Sequence, residues 1–273
     1  MIRVGIGGWV YRPWRGVFYP EGLPQARELA HASRQLTAIE INGTFYGTQK
    51  PESFRRWAQE TPEDFMFSLK GPRYATHRRV LAEAASSVER FLASGIVELR
   101  AKLGPILWQF PPTKTFDADD FAAFLALLPP RLDGKTLRHV VEVRHQSFLA
   151  PAFVELLRKH SVAVAIVDSD KHPLIADVAG DFVYARLQRT AEKVKTGYPP
   201  ADLDLWAQRA KAWATGGAPD DLPTIAAAQR GKGKRDVFIY MIAGAKVRAP
   251  AAAMALIERL QFLTMSSPRP RDP

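Results

Sequence analysis

The residues best equipped for chemistry in this 273-residue chain are Glu40, Asn42, Lys70, Gln109, Glu142, Arg144, Asp168 and Arg186. Each stands at or near the end of a short apolar run. Three carboxylates (Glu40, Glu142, Asp168) and three cations (Lys70, Arg144, Arg186) make up the charged set. Guanidinium forks and a lysine ammonium suit the clamping of a phosphate or carboxylate. Glu142 or Glu40 could then serve as general base or acid, its pKa set by neighbouring cations and by burial. Gln109 and Asn42 would fix orientation. The competing reading is mutual neutralisation, a layer of ion pairs with no ligand at all. Burying charge is costly unless it is paired, so gathering this many charges on apolar strands calls for a function.

The elements that would position these groups are legible as apolar runs alternating with helix-length segments. The runs 3–7, 38–42, 65–70, 106–110, 139–144, 163–168, 182–186 and 237–242 predict strands. Several are continuously apolar, as in Val162-Ala163-Val164-Ala165-Ile166-Val167, the pattern of strands covered on both faces. Between them, 23–35, 52–60, 84–100, 119–128, 151–160, 202–214 and 249–263 predict helices. Eight strands in such alternation predict a single α/β domain, a closed (β/α)8 barrel of the TIM type over residues 1–265; an open doubly wound sheet is the alternative. Side chains alternate along a strand, so Glu40 and Asn42 share a face, as do Glu142 and Arg144, and Tyr184 and Arg186. Facing inward, polar groups from six strands would meet at the carboxyl-terminal mouth, where barrel enzymes work. The Gly-, Pro- and Lys/Arg-rich stretch 215–236 predicts a mobile loop inserted before the last strand, and 266–273 a disordered tail.

Aromatic residues follow the first two strands. Trp9, Trp14, Phe45 and Tyr46 could form stacking walls for a sugar or base, or equally a hydrophobic lid on the barrel. Glycines 7 and 8 lack the spacing of a dinucleotide fingerprint or of a P-loop, so no nucleotide cofactor motif is present. The six histidines show no close ligand spacing and there is no G-x-S-x-G elbow. His77 and His145, just past strand ends, are candidate ligands or proton carriers; His31, His139, His160 and His172 read as surface or packing residues. A divalent metal on Glu40, Glu142 and Asp168 is disfavoured by the basic neighbours, so no metal site is assigned and the cofactor is left open.

Net charge is +10 and there is no cysteine. The first favours acidic partners: a small anionic molecule foremost, nucleic acid as the alternative. The second excludes disulfides, thiolate metal sites and a cysteine nucleophile, and fits a reducing cytoplasm. No apolar stretch has membrane-spanning length, so no membrane partner is expected. The oligomeric state is not legible.

Seven segments taken together resemble the YecE-like family (domain of unknown function 72). They are G-I-G-G-W-V-Y-R-P-W-R-G-V-F-Y-P (5–20), I-E-I-N-G-T-F-Y (39–46), W-A-Q-E-T-P-E-D-F-M-F-S-L-K (57–70), A-T-H-R-R-V-L (75–81), L-G-P-I-L-W-Q-F-P-P (103–112), V-E-V-R-H-Q-S-F (141–148) and V-Y-A-R-L (183–187). The resemblance implies a TIM barrel and places the family's recurrent polar positions on Glu40, Asn42, Tyr46, Lys70, His77, Gln109, Glu142, Arg144, Asp168 and Arg186. It brings no established reaction. Members usually carry His-Gly after the seventh strand's Arg-Leu, where this chain has Gln188-Arg189. Around the last strand they usually read Tyr-Phe-Asn-Asn, where this chain has Tyr240-Met241-Ile242-Ala243. The eighth-strand side of the pocket is therefore rebuilt, which implies a different ligand or a lost activity. Three functions follow: an enzyme acting on a small phosphorylated or carboxylated substrate (hydrolase, isomerase or lyase), a nucleic-acid binder or metal-dependent phosphodiesterase, and a non-catalytic binding protein.

Overall fold

A computed structural model of the chain describes residues 1–227 and 233–265. Eight strands close into a barrel: β1 (Ile2–Gly7), β2 (Ala38–Ile41), β3 (Met66–Lys70), β4 (Leu103–Gln109), β5 (His139–Glu142), β6 (Ala163–Asp168), β7 (Phe182–Leu187) and β8 (Asp236–Met241). Neighbours in the chain are neighbours in the barrel, all parallel, with β1 pairing β8 to complete the ring. The main surrounding helices are α1 (Glu28–Gln35), α2 (Pro51–Glu60), α3 (Ala85–Leu92), α4 (Ala118–Ala126), α5 (Pro151–Lys159), α6 (Pro200–Ala214) and α7 (Ala249–Met265). A two-residue antiparallel hairpin, 131–132 with 135–136, precedes β5.

Two apolar layers result from strand alternation. Val4, Ile6, Ile39, Phe67, Ile106, Val141, Ile166 and Ile239 face the helices and join the large outer core. Ala38, Leu107, Val140, Ala163, Ala165, Val167, Phe182, Tyr184, Phe238 and Tyr240 fill the inside. A small residue is obligatory where β1 meets β2: a Cβ on Gly5 would lie 1.9 Å from the Ala38 carbonyl oxygen.

Two local differences from the sequence expectation have physical causes, and a third stretch, where no helix was expected, has its own tie. The helix expected over 84–100 stops at Leu92, because Gly95 turns the chain in the left-handed region (φ 94°). Its missing side chain also admits Pro51, whose Cβ would lie 2.7 Å from any Cβ there. Strand β4 starts at Leu103 rather than 106, and its register against β3 shifts between Phe67 and Leu69, beside Pro105, which has no N–H to donate. Between β6 and β7 no helix forms among residues 169–181. That stretch is instead tied to the Gly/Pro-rich insertion: Ala176 N–H donates to the Pro223 carbonyl at 3.1 Å, and the Asp177 carboxylate accepts from Ile225 N–H at 2.8 Å and Ala226 N–H at 3.0 Å. Residues 228–232 of the expected loop, and the whole tail 266–273, lie outside the described residues. No helix among the described residues is long and apolar enough to cross a membrane.

Candidate functional site at the carboxyl-terminal mouth

Strand alternation sends Glu40, Lys70, Gln109, Glu142 and Arg186 to the carboxyl-terminal end of the barrel interior. There Glu40, Gln109, Glu142 and Arg186 form one connected polar cluster above the apolar layer, with Lys70 beside it. Arg186 is its centre: Nε and Nη2 fork onto Glu40 Oε2 and Oε1, both at 3.0 Å, while Nη1 donates to Glu142 Oε2. Tyr184 O–H donates to Glu40 Oε2 at 2.7 Å. Glu142 Oε1 accepts from Gln109 Nε2 at 2.8 Å and from Arg144 Nε at 2.7 Å. Both carboxylates are fully buried and Arg186 is 1% exposed. Burial alone would raise the Glu142 carboxyl, but Arg186 and Arg144 outweigh it and hold it down at about 2. Glu142 and Glu40 in turn push the Arg186 guanidinium above its usual value in spite of its burial.

Lys70 differs from the other cations. It is 6% exposed, and Nζ sits 3.9 Å above the centroid of the Phe45 ring. Among the described residues its Nζ has neither a hydrogen bond nor an ion pair within 4.0 Å. Burial, then the charge of Arg186, lower its pKa to about 8, although Glu40 and Glu142 pull the other way. Arg144 spends only Nε on Glu142 and keeps a partly exposed outer edge, with a side-chain exposure of 23%.

Four further candidates border the cluster. His77 bonds Thr76 Oγ1 through Nδ1 at 3.2 Å and meets Phe45 edge-on at 5.7 Å; burial first, then Arg73, Lys70 and Arg144, lower its pKa. Tyr46, 66% exposed, packs edge-on against Phe45 at 5.1 Å and marks the rim. Asn42 lines a small cavity of about 70 Å³ with Gly7, Trp14, Ile242 and Lys246. On the side the sequence marks as rebuilt, Ile242 reaches to 2.6 Å from where a Gly7 Cβ would stand. A larger cavity, of about 660 Å³, lies instead at the amino-terminal ends of β5, β6, β7 and β8, away from this cluster.

Two sequence candidates are corrected. Asp168 does not face the barrel: Val167 takes the interior position, which turns Asp168 to the outer side. There it accepts from Tyr198 O–H at 2.9 Å and lies 3.5 Å from Arg189, so it anchors the segment after β7. Trp9 offers no stacking wall; it packs edge-on against Trp57 at 5.2 Å and Phe67 at 6.4 Å, both in the outer layer. Trp14 is likewise buried, and His145 caps the turn at 146–148. One residue was missed. His172, read as surface or packing, stands near the cluster: burial chiefly lowers its pKa, and Arg144, Glu142 and Arg186 all act on it. Its Nδ1 is buried without a hydrogen-bond partner. Among the described residues no three His, Asp or Glu side chains come together in a way that could hold a metal ion.

The fold and sequence have relatives. A DUF72 family protein from Thermotoga maritima MSB8 superposes with a TM-score of 0.69 at 22% identity, covering 97% of this chain and 98% of that one. SacUVDE superposes with a TM-score of 0.57 at 10% identity, covering 97% and 99%. At those identities the likeness concerns the barrel. In sequence, UPF0759 protein YecE of Escherichia coli O157:H7 is 30% identical over 177 residues, 62% of this chain and 60% of that protein. UPF0759 protein YunF of Bacillus subtilis strain 168 is 28% identical over 161 residues, 57% of this chain and 55% of that protein. The matched stretches thus cover less than two thirds of those relatives' own lengths. The family described as "Protein of unknown function DUF72" matches residues 3–272, nearly the entire sequence, and the chain belongs to that family.

Proposed function

We propose that the mouth binds a small anionic molecule, phosphorylated or carboxylated, held between the Lys70 ammonium and the outer edge of the Arg144 guanidinium. One observation carries this reading: the cluster sets three cations (Lys70, Arg144, Arg186) against two carboxylates (Glu40, Glu142), and the surplus ammonium has no acceptor among the described residues. A buried excess charge is unfavourable unless a counter-ion meets it. His77 and His172 flank the same place and supply neutral imidazoles to donate to the anion or carry a proton. Glu40 and Glu142 spend their oxygens on Arg186, Tyr184, Gln109 and Arg144. Their part is to orient the cations, which leaves proton handling to Lys70, His77 and His172.

A thermal-shift series with inorganic phosphate, sugar phosphates and small carboxylates tests this. An anion at a hundred times its Kd should stabilise the protein by about 2.7 kcal/mol, roughly 5–10 °C in the midpoint for a chain of this size. Arg144→Ala should remove the shift, since that side chain is at the edge of the cluster. No shift with any anion, or an unchanged shift in the variant, would sink the reading.

A second reading, contact with nucleic acid, is favoured by the other end of the barrel. The cavity of about 660 Å³ there is lined by Arg138, Arg158, His160, Lys234 and Arg235. Asp236 engages Arg138 and Asp177 lies 4.0 Å from Arg158, so among the described residues Lys234 and Arg235 carry the uncompensated charge. Fluorescence anisotropy with a short single-stranded DNA should show binding that falls steeply with salt. Lys234→Glu should weaken it about tenfold at low salt. Absence of binding at low salt ends this alternative.

A further inference from the structure

The environment of Lys70 says more than that a positive charge is present. A lysine kept only for its charge is normally met by a carboxylate, and two lie in the same cluster. Both are already engaged: Glu40 by the Arg186 fork and Tyr184, Glu142 by Gln109, Arg144 and Arg186. The amine is left against the face of Phe45, at the end of β3, next to the place where the anion is argued to sit. A ring face tolerates an ammonium without accepting a directed hydrogen bond in the way a carboxylate does. An amine dried in this way, beside other cations, gives up its proton at modest cost and becomes a nucleophile.

We propose that Lys70 forms a reversible imine with the carbonyl carbon of the bound ligand, which narrows the ligand class to small anionic aldehydes and ketones: 2-oxo acids and phosphorylated aldoses or ketoses. The inference rests on the anion-binding reading above. In the addition step the Nζ lone pair forms a C–N bond, and the carbonyl π electrons move to oxygen, which takes up a proton. In the second step the C–O bond breaks with release of water, and the nitrogen electrons close the C=N bond. Overall, one ammonium and one carbonyl give one protonated imine and one water. The single positive charge is conserved, and no oxidant or reductant enters. Because the charge stays in place, Glu40 and Glu142, which favour a cation at this nitrogen, also favour the protonated imine. His77, which meets the same Phe45 ring and whose neutral imidazole feels Lys70 and Arg144, would accept the proton that the ammonium gives up and return it to the departing hydroxyl group. A carboxylate or phosphate on the same molecule would rest on Arg144 and hold the carbonyl in reach, the positioning that makes such an addition effectively unimolecular.

Trapping tests this directly. The full-length protein is incubated separately with pyruvate, glyoxylate and glyceraldehyde 3-phosphate, reduced with sodium borohydride, and read by intact mass and peptide mapping. The expected result is a single adduct per chain with at least one of the three. It should map to the peptide carrying Lys70, with about tenfold or more enrichment over any other lysine. Inorganic phosphate should suppress it. Lys70→Arg keeps a cation at the site but cannot form an imine, so it should lose the adduct. No adduct, or adducts spread over other lysines and unchanged in Lys70→Arg, overturns the inference. If phosphate still stabilises the wild-type protein in that event, the imine falls alone; if no anion stabilises it either, both readings fall together.

Discussion

Lys70→Met should be more stable than the wild-type protein at pH 7, and the advantage should shrink as the pH rises from about 8 toward 10.5. The sign follows from where the ammonium is paid a penalty. In the fold, burial first and Arg186 second bring the amine down to about 8, against 10.5 for an ordinary lysine. Between those two values the unfolded chain holds a proton that the folded chain has released, so stability increases with pH across that window. Below about 8 the fold carries the entire cost of a buried, unpaired ammonium. At about 1.4 kcal/mol per unit, a gap of roughly 2.5 units is on the order of 3 kcal/mol. Methionine has similar length, keeps the contact with Phe45 and brings no charge. The thermal midpoint at pH 7 should rise by roughly 5–10 °C, and differ little from wild type near pH 10.5. A variant less stable than wild type at pH 7, or a difference that does not change with pH, would mean that the ammonium is satisfied in a way the geometry does not contain. Stability given up at one residue is a common mark of a site selected for something else.

The barrel itself was legible because its evidence is repeated eight times. Runs such as 162–167 are apolar on every residue, which only a sheet covered on both faces tolerates. The pairs Glu40/Asn42, Glu142/Arg144 and Tyr184/Arg186 were legible for the opposite reason: a polar residue two positions from another fixes the face. Asp168 shows where this stops. Its strand is apolar on both faces, so nothing in Val162–Val167 says which alternate set lines the barrel. The structure places Ala163, Ala165 and Val167 inside, and the carboxylate goes outward to Tyr198. Trp9 fails similarly, since an aromatic after a glycine turn reads alike whether it walls a pocket or plugs a layer against Trp57. His172 had no signal at all. It lies in a helix-free stretch without a motif, and only the closure of the barrel brings it beside Arg144 and Glu142.

Arg186→Leu should be the most damaging single change at the mouth. Its guanidinium neutralises two carboxylates that are otherwise fully buried, and leucine leaves Glu40 with Tyr184 as its direct partner and Glu142 with Gln109 and a partly exposed Arg144. Breaking a buried network by removing one partner costs about 3–5 kcal/mol, here roughly 6–20 °C in the thermal midpoint. The pH dependence separates this cause from a packing defect. In the wild type the Glu142 carboxyl sits at about 2, below the 4.5 of an ordinary glutamate, because Arg186 and Arg144 outweigh its burial. Its contribution is therefore fully present above pH 4.5 and is lost as the pH falls toward 2. Without Arg186 burial dominates and the carboxyl moves above the ordinary value. The same group then destabilises the fold at neutral pH, and the penalty lifts as it takes up a proton. The gap between variant and wild type should accordingly narrow when the pH is lowered from 7 to 5. Adding Glu142→Gln to Arg186→Leu should recover part of the loss at pH 7, because it removes one of the two stranded charges. A gap that stays constant with pH, together with no recovery in the double variant, would mean that leucine fails by shape and that the four side chains do not act as one electrostatic unit.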